Sequence, residues 1–273
     1  MGIKKPLVSI LLCSYNAEKF IEITLNSLLN QSYENIEILI LDNNSKDNTV
    51  KIIKKYLDKK NPVKLFQSDK NLGPYDGLNF LINKSKGEYI SITDHDDIYH
   101  PDKINLQINF LENHKFFLGC GTNLYKYYEI NDRFSLIKIN KIDFFSAHPS
   151  LVFRNLSNLK YNTNIKYKTD TYFMRYILCK NKKTLYNIQK PLYLSRVRSD
   201  NNNLSRIWNN DLTFKQIFNY YKYTKDKNSF IKFIIKKYVF YNFFQNFYYK
   251  LKSKPIKHFK KDSFFKEYLR YLK

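Results

Sequence analysis

The run Asp94-His95-Asp96-Asp97 is the part of this chain best suited to chemistry. It follows residues 88–93, whose apolar composition predicts a buried strand, and precedes residues 98–103, which lead into a helix. Neighbouring carboxylates repel one another unless a cation neutralises them. Because the available ligands are oxygen atoms, we expect Mn²⁺ or Mg²⁺, and such an ion would typically carry a diphosphate. The alternative is a solvated acidic turn in which Asp97 caps the following helix.

Strands and helices alternate through the first half of the chain. Starting with a strand, the predicted elements are 7–13, 17–30, 36–41, 45–59, 63–67, 74–85, 88–93 and 101–113. This alternation predicts a mostly parallel central sheet with helices on both faces. Ligands bind such sheets beyond the carboxyl ends of the strands. Residues 13–16, 42–45 and 94–97 all follow predicted strands, so we expect them to converge on one site.

The pattern loosens from about residue 116. The predicted elements there are strands 118–128, 134–139 and 150–153, a helix over 170–179, and strands 184–187 and 192–197. We expect them to complete the sheet and to form the acceptor side of a cleft. One domain is therefore predicted over residues 1–205, followed by a separate region over 206–273.

Composition restricts the partners and the compartment. The 273 residues include 47 Lys and Arg against 24 Asp and Glu, a formal charge of +23, which favours anionic partners. The three widely spaced cysteines fit reduced thiols better than disulfides. The apolar run 7–13 is too short for a signal peptide, and no uncharged run is long enough to span a bilayer. We therefore expect a cytoplasmic protein.

Residues 207–273 concentrate the basic charge, with 16 Lys and Arg against 4 Asp and Glu. Aromatic and apolar residues recur there at helical spacing, with lysines upstream. Two interpretations stay open: a basic amphipathic helix on an anionic membrane surface, or a tail whose aromatic residues pack on the main domain. The residues concerned are Phe240, Phe243, Phe244, Phe247 and Leu251, with Lys232, Lys236 and Lys237.

Five segments, in order and with matching spacing, resemble the family 2 glycosyltransferases of the GT-A fold, especially small bacterial enzymes that build surface polysaccharides. They are residues 8–16, 31–45, 71–73, 86–90 and 94–97. The resemblance implies an α/β, GT-A-type nucleotide-binding fold. It also implies that 1–115 form the nucleotide-sugar-binding half and 116–205 the acceptor half.

The same resemblance implies how the nucleotide-sugar donor is bound. Tyr15 would lie against the base, and Asp42 or its neighbour Asn43 would hydrogen-bond the base edge. Members often carry two acids at this place, and the amide at position 43 can also pair with uracil. For Asp42 the alternative is a turn residue that binds its own backbone. The implied nucleotide-binding residues are Ser14, Tyr15, Asp42, Asn43, Asn71, Asp94, Arg196 and Arg198.

For the metal, the resemblance implies that Asp96, the last acid of the D-x-D motif, is the main ligand. Asp94 would assist through water or the donor ribose. The ion, Mn²⁺ or Mg²⁺, would neutralise the departing diphosphate. The histidines His95, His100 and His114, with His258, form no ligand pattern, so no zinc site is assigned.

Inverting transfer also needs a base on the acceptor side. Asp170 matches the family's acid at the start of a helix, although many relatives have Glu before it and this chain has Thr169. The alternative is an ordinary N-cap. Arg196 and Arg198 match the family's R-x-H loop, with Arg198 where His is usual. Arginine cannot ligate a metal, but its planar guanidinium suits a diphosphate, so we predict that it clamps the phosphates. Here the alternative is a surface salt bridge. His148 fits a further element near the acceptor, where a buried, hydrogen-bonded histidine is the preferred interpretation.

The sequence thus predicts an inverting, metal-dependent hexosyltransferase. It would use a UDP-sugar and a lipid-linked or surface-glycan acceptor of the lipooligosaccharide, capsule or O-antigen type. It would be peripheral on the inner face of the bacterial cytoplasmic membrane and bind no nucleic acid. Two alternatives are a catalytically lapsed scaffold of the same fold, suggested by Asn43 and Arg198, and a nucleic-acid-binding protein that uses the basic tail. A nucleotidyltransferase is disfavoured because no Gly-rich phosphate loop lies near the start.

Overall fold

A computed structural model describes residues 5–58, 60–199, 214–225, 227, 228 and 231. The strands are β1 (Val8–Ser14), β2 (Ile36–Asp42), β3 (Val63–Gln67), β4 (Tyr89–Thr93), β5 (Ile98–Tyr99), β6 (Gly119–Tyr128), β7 (Arg133–Ile137), β8 (Ile142–Asp143), β9 (Val152–Arg154) and β10 (Leu185–Val197). The helices are α1 (Ile21–Leu29), α2 (Thr49–Lys54), α3 (Pro74–Lys84), α4 (Lys103–Asn113), α5 (Thr169–Tyr172) and α6 (Phe214–Thr224). Single 3₁₀ turns cover Glu129–Asn131 and His148–Ser150, and α5 continues as a π-helical segment, Phe173–Leu178.

Within the described residues, ten strands form one sheet in the order β3-β2-β1-β4-β9-β6-β10-β5, with β7 beside β6 and β8 beside β10. The first four are parallel, as the alternation of strands and helices predicts. Strand β9 is antiparallel to both of its neighbours, so the sheet is mixed. The predicted α/β fold, a central sheet flanked by helices, is confirmed.

The two faces of the sheet bury separate apolar layers. On β1, Ile10 and Leu12 pack in the cluster that contains α1 residues, whereas Leu11 packs in the cluster that contains α3 residues. Successive side chains of a strand point to opposite faces, so a wholly apolar strand can serve both layers. Burying one such side chain stabilises the fold by roughly 1.5–3 kcal/mol. This packing fixes the carboxyl ends of the strands, where polar residues follow.

Several boundaries differ from the predicted ones because tertiary contacts replace helical hydrogen bonds. The helix predicted over 17–30 begins at Ile21, since the backbone N–H of Ala17 donates to Thr49 Oγ1 (2.7 Å) and that of Glu18 to Asp47 Oδ2 (3.1 Å). The helix predicted over 45–59 is confined to α2. The strands predicted at 184–187 and 192–197 are one strand, β10, whose pairing with β6 is irregular around Pro191.

The alternative role of Asp97 as a helix cap is wrong. Its Oδ1 accepts a hydrogen bond from the backbone N–H of Arg196 (3.0 Å), and α4 begins six residues later, after Asp102. Asp97 therefore ties the acidic run to β10.

Lys103 is an unusual component of the core. The side chain is 1% exposed, with Nζ 3.4 Å from Ser91 Oγ and 5.6 Å from the centre of the Tyr99 ring. Burial lowers the pKa of Lys103 to about 7. Between pH 7 and about 10.5 the unfolded chain holds a proton on this lysine that the folded chain releases, so stability rises with pH through that window.

We expect Lys103→Met to raise the free energy of unfolding at pH 7 by roughly 2–4 kcal/mol, because the mutation removes a buried charge and keeps the volume. The gain should shrink as the pH approaches 10. Urea unfolding at pH 7 and pH 9.5 measures both effects, with the exposed Lys54→Met as the control. A gain that does not depend on pH would show that Lys103 keeps its proton in the native state, so that its pKa is not lowered.

Of the C-terminal region, the structure describes mainly α6. Tyr220 is buried against Tyr167, and Phe218 and Tyr223 are exposed. The predicted amphipathic stretch over 232–251 lies outside the described residues. No helix in the described part of the chain is long and apolar enough to cross a bilayer.

Candidate active site

The three polar clusters that follow strands meet at one edge of the sheet. Ser14 at the end of β1 pairs in register with Asp42 at the end of β2. On the other side of β1, Leu12 pairs with Thr93, and Asp94 comes next in the chain. The convergence expected from the sequence is therefore observed.

Asp42 and Ser14 present buried polar atoms at this edge. Asp42 is 2% exposed, and its Oδ2 accepts a hydrogen bond from the backbone N–H of Ser45 (3.1 Å). Its Oδ1, like the Ser14 hydroxyl, has no hydrogen-bond partner among the described residues. A buried acceptor left unpaired is costly, which points to a ligand donor at this place. Tyr15, 41% exposed, offers an open ring beside them.

Asn43, the residue after Asp42, supports a loop. Its Nδ2 donates to Asn71 Oδ1 (2.9 Å) and to the Gly73 carbonyl (3.2 Å), and its Oδ1 accepts from the Leu72 backbone N–H (2.8 Å). Asn71 Oδ1 also accepts from the Gly73 N–H (2.8 Å). We therefore interpret Asn43 as the residue that shapes the loop before α3, where Gly73 has a φ of +79°.

The acidic run is held rigidly by its backbone. Thr24 Oγ1 lies 2.9 Å from the carbonyl oxygens of both His95 and Asp97. The Asp94 N–H donates to the Tyr99 hydroxyl (2.7 Å). These contacts fix the directions of the intervening side chains before any ligand arrives.

The carboxylates of this cleft repel one another. The pKa of Asp94 is raised to about 7. The largest cause is burial, because the surrounding protein atoms displace water. The charges of Asp96 and Asp170 raise the pKa further, and Arg198 opposes the rise. Asp94 is itself exposed to the cleft, so a cation could reach it. Asp94 and Asp96 offer negatively charged carboxylate oxygens as ligands, and these suit Mn²⁺ or Mg²⁺. Among the described residues, no group of three His, Cys, Asp or Glu side chains is arranged to hold a metal ion.

Arg198 occupies one oxygen of Asp96. Its Nε donates to Asp96 Oδ2 (2.8 Å), and a terminal nitrogen contacts His95 Nε2. Arginine only donates, so His95 Nε2 accepts, and His95 Nδ1–H faces the Cys13 carbonyl (3.4 Å). Burial lowers the pKa of His95, which agrees with a neutral imidazole.

Arg196 is held differently from Arg198. Its Nη1 pairs with Glu129 Oε1 (2.9 Å), and its Nε donates to the backbone carbonyl of Asp96 (3.2 Å). Both guanidinium groups lie over the Phe20 ring, 5.1 Å from its centre for Arg196 and 4.8 Å for Arg198. Both arginines form salt bridges, but these are largely shielded from solvent and are not the surface pairs of the alternative interpretation.

Asp170 stands in the first turn of α5. The N-cap is Lys168, which has a left-handed backbone, so the interpretation of Asp170 as an N-cap is wrong. Asp170 Oδ1 accepts from the Thr171 N–H (2.7 Å). The pKa of Tyr75 lies well above its usual value, mainly because the hydroxyl is buried. The charges of Asp170 and Asp94 raise this pKa further. Both acids therefore lie close enough to Tyr75 to act on its hydroxyl.

The sequence did not single out the aromatic residues between these acids. Tyr161 packs 5.3 Å from Tyr75, centre to centre, and its hydroxyl is 2.7 Å from His148 Nε2. Asn79 bonds both backbone groups of Tyr161, at 2.7 and 3.0 Å. His148 is hydrogen-bonded as expected, but half-buried. No spacing joins these residues in the sequence, since 82 positions separate Asn79 from Tyr161.

A cavity of about 220 Å³ opens behind Tyr75. It lies between the start of α3 and the segment before α5. Residues that line it include Asp76, Thr163, Ile165, Lys166 and Thr169.

Comparisons with known proteins agree with this architecture. A sequence model of the family described as Glycosyl transferase family 2 matches residues 9–179. An uncharacterized glycosyltransferase of Haemophilus influenzae is 31% identical over 222 residues, which are 77% of this chain and 89% of the relative. One of Methanocaldococcus jannaschii is 29% identical over 220 residues, 74% of this chain and 75% of the relative.

Two solved structures share the fold. Residues 1–349 of TarS from S. aureus, in complex with UDP-GlcNAc, superpose with a TM-score of 0.60 at 21% identity. The match covers 70% of this chain and 59% of that one. A mannosyltransferase from Pyrobaculum calidifontis, in complex with GDP-Man and Mn²⁺, gives a TM-score of 0.56 at 15% identity. That match covers 71% of this chain and 58% of the mannosyltransferase.

Proposed function

The chain belongs to glycosyl transferase family 2, and from this premise we propose an inverting, metal-dependent transfer of a hexose from a UDP-sugar. The acceptor is a lipid-linked or surface glycan. One observation carries the proposal: Asp96 and Asp170 both lie near enough to Asp94 for their charges to raise its pKa. In the proposal Asp96 is the acid on the metal side and Asp170 the acid on the acceptor side. Inverting transfer needs these two acids on opposite sides of the anomeric carbon.

In this proposal the donor's uracil lies on Tyr15, and its N3–H donates to Asp42 Oδ1, the buried oxygen that has no partner. The Ser14 hydroxyl and Asn71 complete the nucleotide contacts. The UDP-GlcNAc complex of TarS and the GDP-Man complex of the mannosyltransferase, which share this fold, support a nucleotide-sugar donor.

Asp94 and Asp96 would hold the divalent ion, and such an ion would supply positive charge against the departing diphosphate. Arg198 supplies a planar cation for the same phosphates. On the other side, Asp170 orients the acceptor hydroxyl and takes its proton as the new C–O bond forms and the bond to the diphosphate breaks. A single displacement of this kind inverts the anomeric centre.

We further propose that the enzyme works at the inner face of the bacterial cytoplasmic membrane. Two features support this: the charge of +12 over residues 207–273, and the exposed Phe218 and Tyr223 on α6. Basic charge with exposed aromatic groups suits an anionic lipid surface. A lipid-linked acceptor would be presented there.

A thermal-shift comparison of UDP-, GDP- and dTDP-sugars, each with and without Mn²⁺, tests the donor. A ligand at 100 times its dissociation constant stabilises the native state by about 2.7 kcal/mol. At roughly 2–4 °C per kcal/mol, the melting temperature should rise by about 5–10 °C. We expect this rise for a UDP-sugar with Mn²⁺, and its loss in Asp42→Ala but not in Asp69→Ala. If no sugar nucleotide shifts the melting temperature, the lapsed-scaffold alternative is favoured; a response to GDP-sugars alone reassigns the base.

A further inference from the structure

We propose that Arg198 and the divalent cation compete for Asp96, and that the donor diphosphate opens the metal site by drawing Arg198 to itself. This inference rests on the proposed function, because it assumes a metal and a nucleotide diphosphate in this cleft. It adds an order to their binding: the nucleotide prepares the carboxylate that the metal needs.

The first step of the argument is the ion pair itself. Arg198 Nε lies 2.8 Å from Asp96 Oδ2, and the two side chains are only 10% and 14% exposed. An ion pair this shielded from water is stronger than a surface pair. The fork of Arg198 also contacts His95 Nε2, so two residues of the acidic run hold the guanidinium.

The second step concerns the geometry of Asp96. A divalent ion would have to lie about 2.0–2.1 Å from a carboxylate oxygen, if it is Mg²⁺. With the guanidinium 2.8 Å from Oδ2, the two cations would stand within a few ångströms of each other on one carboxylate. Their repulsion makes full occupation of both places unfavourable. Without a donor, Arg198 therefore weakens metal binding.

The third step is the difference between the two arginines. Arg196 is paired with the carboxylate of Glu129, and its Nε donates to the backbone carbonyl of Asp96. Arg198 instead bonds directly to the proposed metal ligand. Both lie on the same Phe20 ring, so a movement of Arg198 towards a diphosphate could keep that stacking contact. Arg198 alone has the placement of an exchangeable cation.

The fourth step is the exchange of charges. A diphosphate offers a planar guanidinium pairs of oxygens that match its fork. When Arg198 turns to the phosphates, Asp96 loses its cation, and the metal replaces it while binding the same phosphates. Metal and nucleotide thus favour each other's binding, by a factor typical of coupled sites, about 5–150-fold.

Manganese titrations followed by the EPR signal of free Mn²⁺ test this coupling. In the wild type we expect weak Mn²⁺ binding that UDP tightens. In Arg198→Met we expect Mn²⁺ without nucleotide to bind about tenfold more tightly, and the tightening by UDP to shrink. The matched control is Arg196→Met, which removes a guanidinium from the same ring but leaves the Asp96 carboxylate paired; here Mn²⁺ affinity should stay near the wild-type value.

The outcomes separate the two proposals. If the wild type binds no Mn²⁺ even with UDP, the metal-dependent function fails. If it binds both ligands but Arg198→Met leaves nucleotide-free Mn²⁺ affinity unchanged, only the competition is overturned. Equal gains in both variants would mean a simple charge effect and would also overturn it.

A second measurement covers the case in which Arg198→Met does not fold. In the wild type labelled with ¹⁵N-arginine, the Nε–H resonance of Arg198, identified by its loss in Arg198→Lys, should move when UDP and Mg²⁺ are added together. A resonance that stays in place in the saturated complex would contradict the exchange.

Discussion

Replacing Asp96 by asparagine is expected to reduce sugar transfer by at least about 10³-fold, because a metal-stabilised leaving group is worth several kcal/mol. The amide keeps the shape of the side chain but cannot balance the charge of a divalent ion. It also loses the charged pairing with Arg198 Nε, now 2.8 Å from Asp96 Oδ2. Transfer from a UDP-sugar, measured by release of UDP, gives the result, and chelation of the wild type with EDTA should reproduce it.

Asp97→Asn is the matched control for that experiment. Position 97 is adjacent, but its Oδ1 accepts from the Arg196 backbone N–H, a role that an asparagine oxygen can fill. We expect this variant to keep activity within a few-fold and to melt near the wild-type temperature. Activity that survives both Asp96→Asn and EDTA would remove the metal from the mechanism.

The parallel half of the fold and the place of the site follow from local pattern. Strand β3 spans Val63–Gln67, as predicted, because a short strand pattern bounded by turn residues shows where the strand begins and ends. Parallel strands bring their carboxyl ends to one edge, so polar clusters after β1, β2 and β4 had to meet. The observed pairing of Ser14 with Asp42 is the direct result.

Side-chain direction could not be predicted in the same way. Asn43 has the right chemistry for a base edge, but it turns inward and holds the loop at Asn71 and Gly73. Asp97 has the residue type of a helix cap, but it bonds to Arg196, 99 positions away. Local sequence reports residue type and spacing, whereas these roles depend on contacts between distant segments.

The antiparallel strand β9 shows the same limit at the level of topology. Val152–Arg154 inserts between β4 and β6, which joins the two halves of the chain into one sheet. A three-residue strand carries too little periodicity to reveal its neighbours. Asp170, which comes after β9 in the chain, lies within electrostatic range of Asp94.

Asp170→Asn is expected to lower turnover by about 10²–10⁴-fold, the usual contribution of a general base. Asparagine cannot take the proton of the acceptor hydroxyl, but its side-chain oxygen can still accept from the Thr171 N–H, so α5 should keep its start. Affinity for the UDP-sugar should change little, since in the proposed mechanism Asp170 acts on the acceptor hydroxyl and makes no contact with the nucleotide. Single-turnover transfer rates and calorimetric donor binding separate these two quantities.

Asp102→Asn is the control, since it changes an acid next to the start of another helix, on the surface beside Ser32 and away from the cleft. It should leave both turnover and donor affinity near wild-type values. A base contributes to the chemical step alone, so the diagnostic result for Asp170 is a lost rate at unchanged affinity and unchanged melting temperature. If Asp170→Asn instead loses donor affinity and turnover in equal measure, the carboxylate supports the donor pocket, and the acceptor's proton must go to another group.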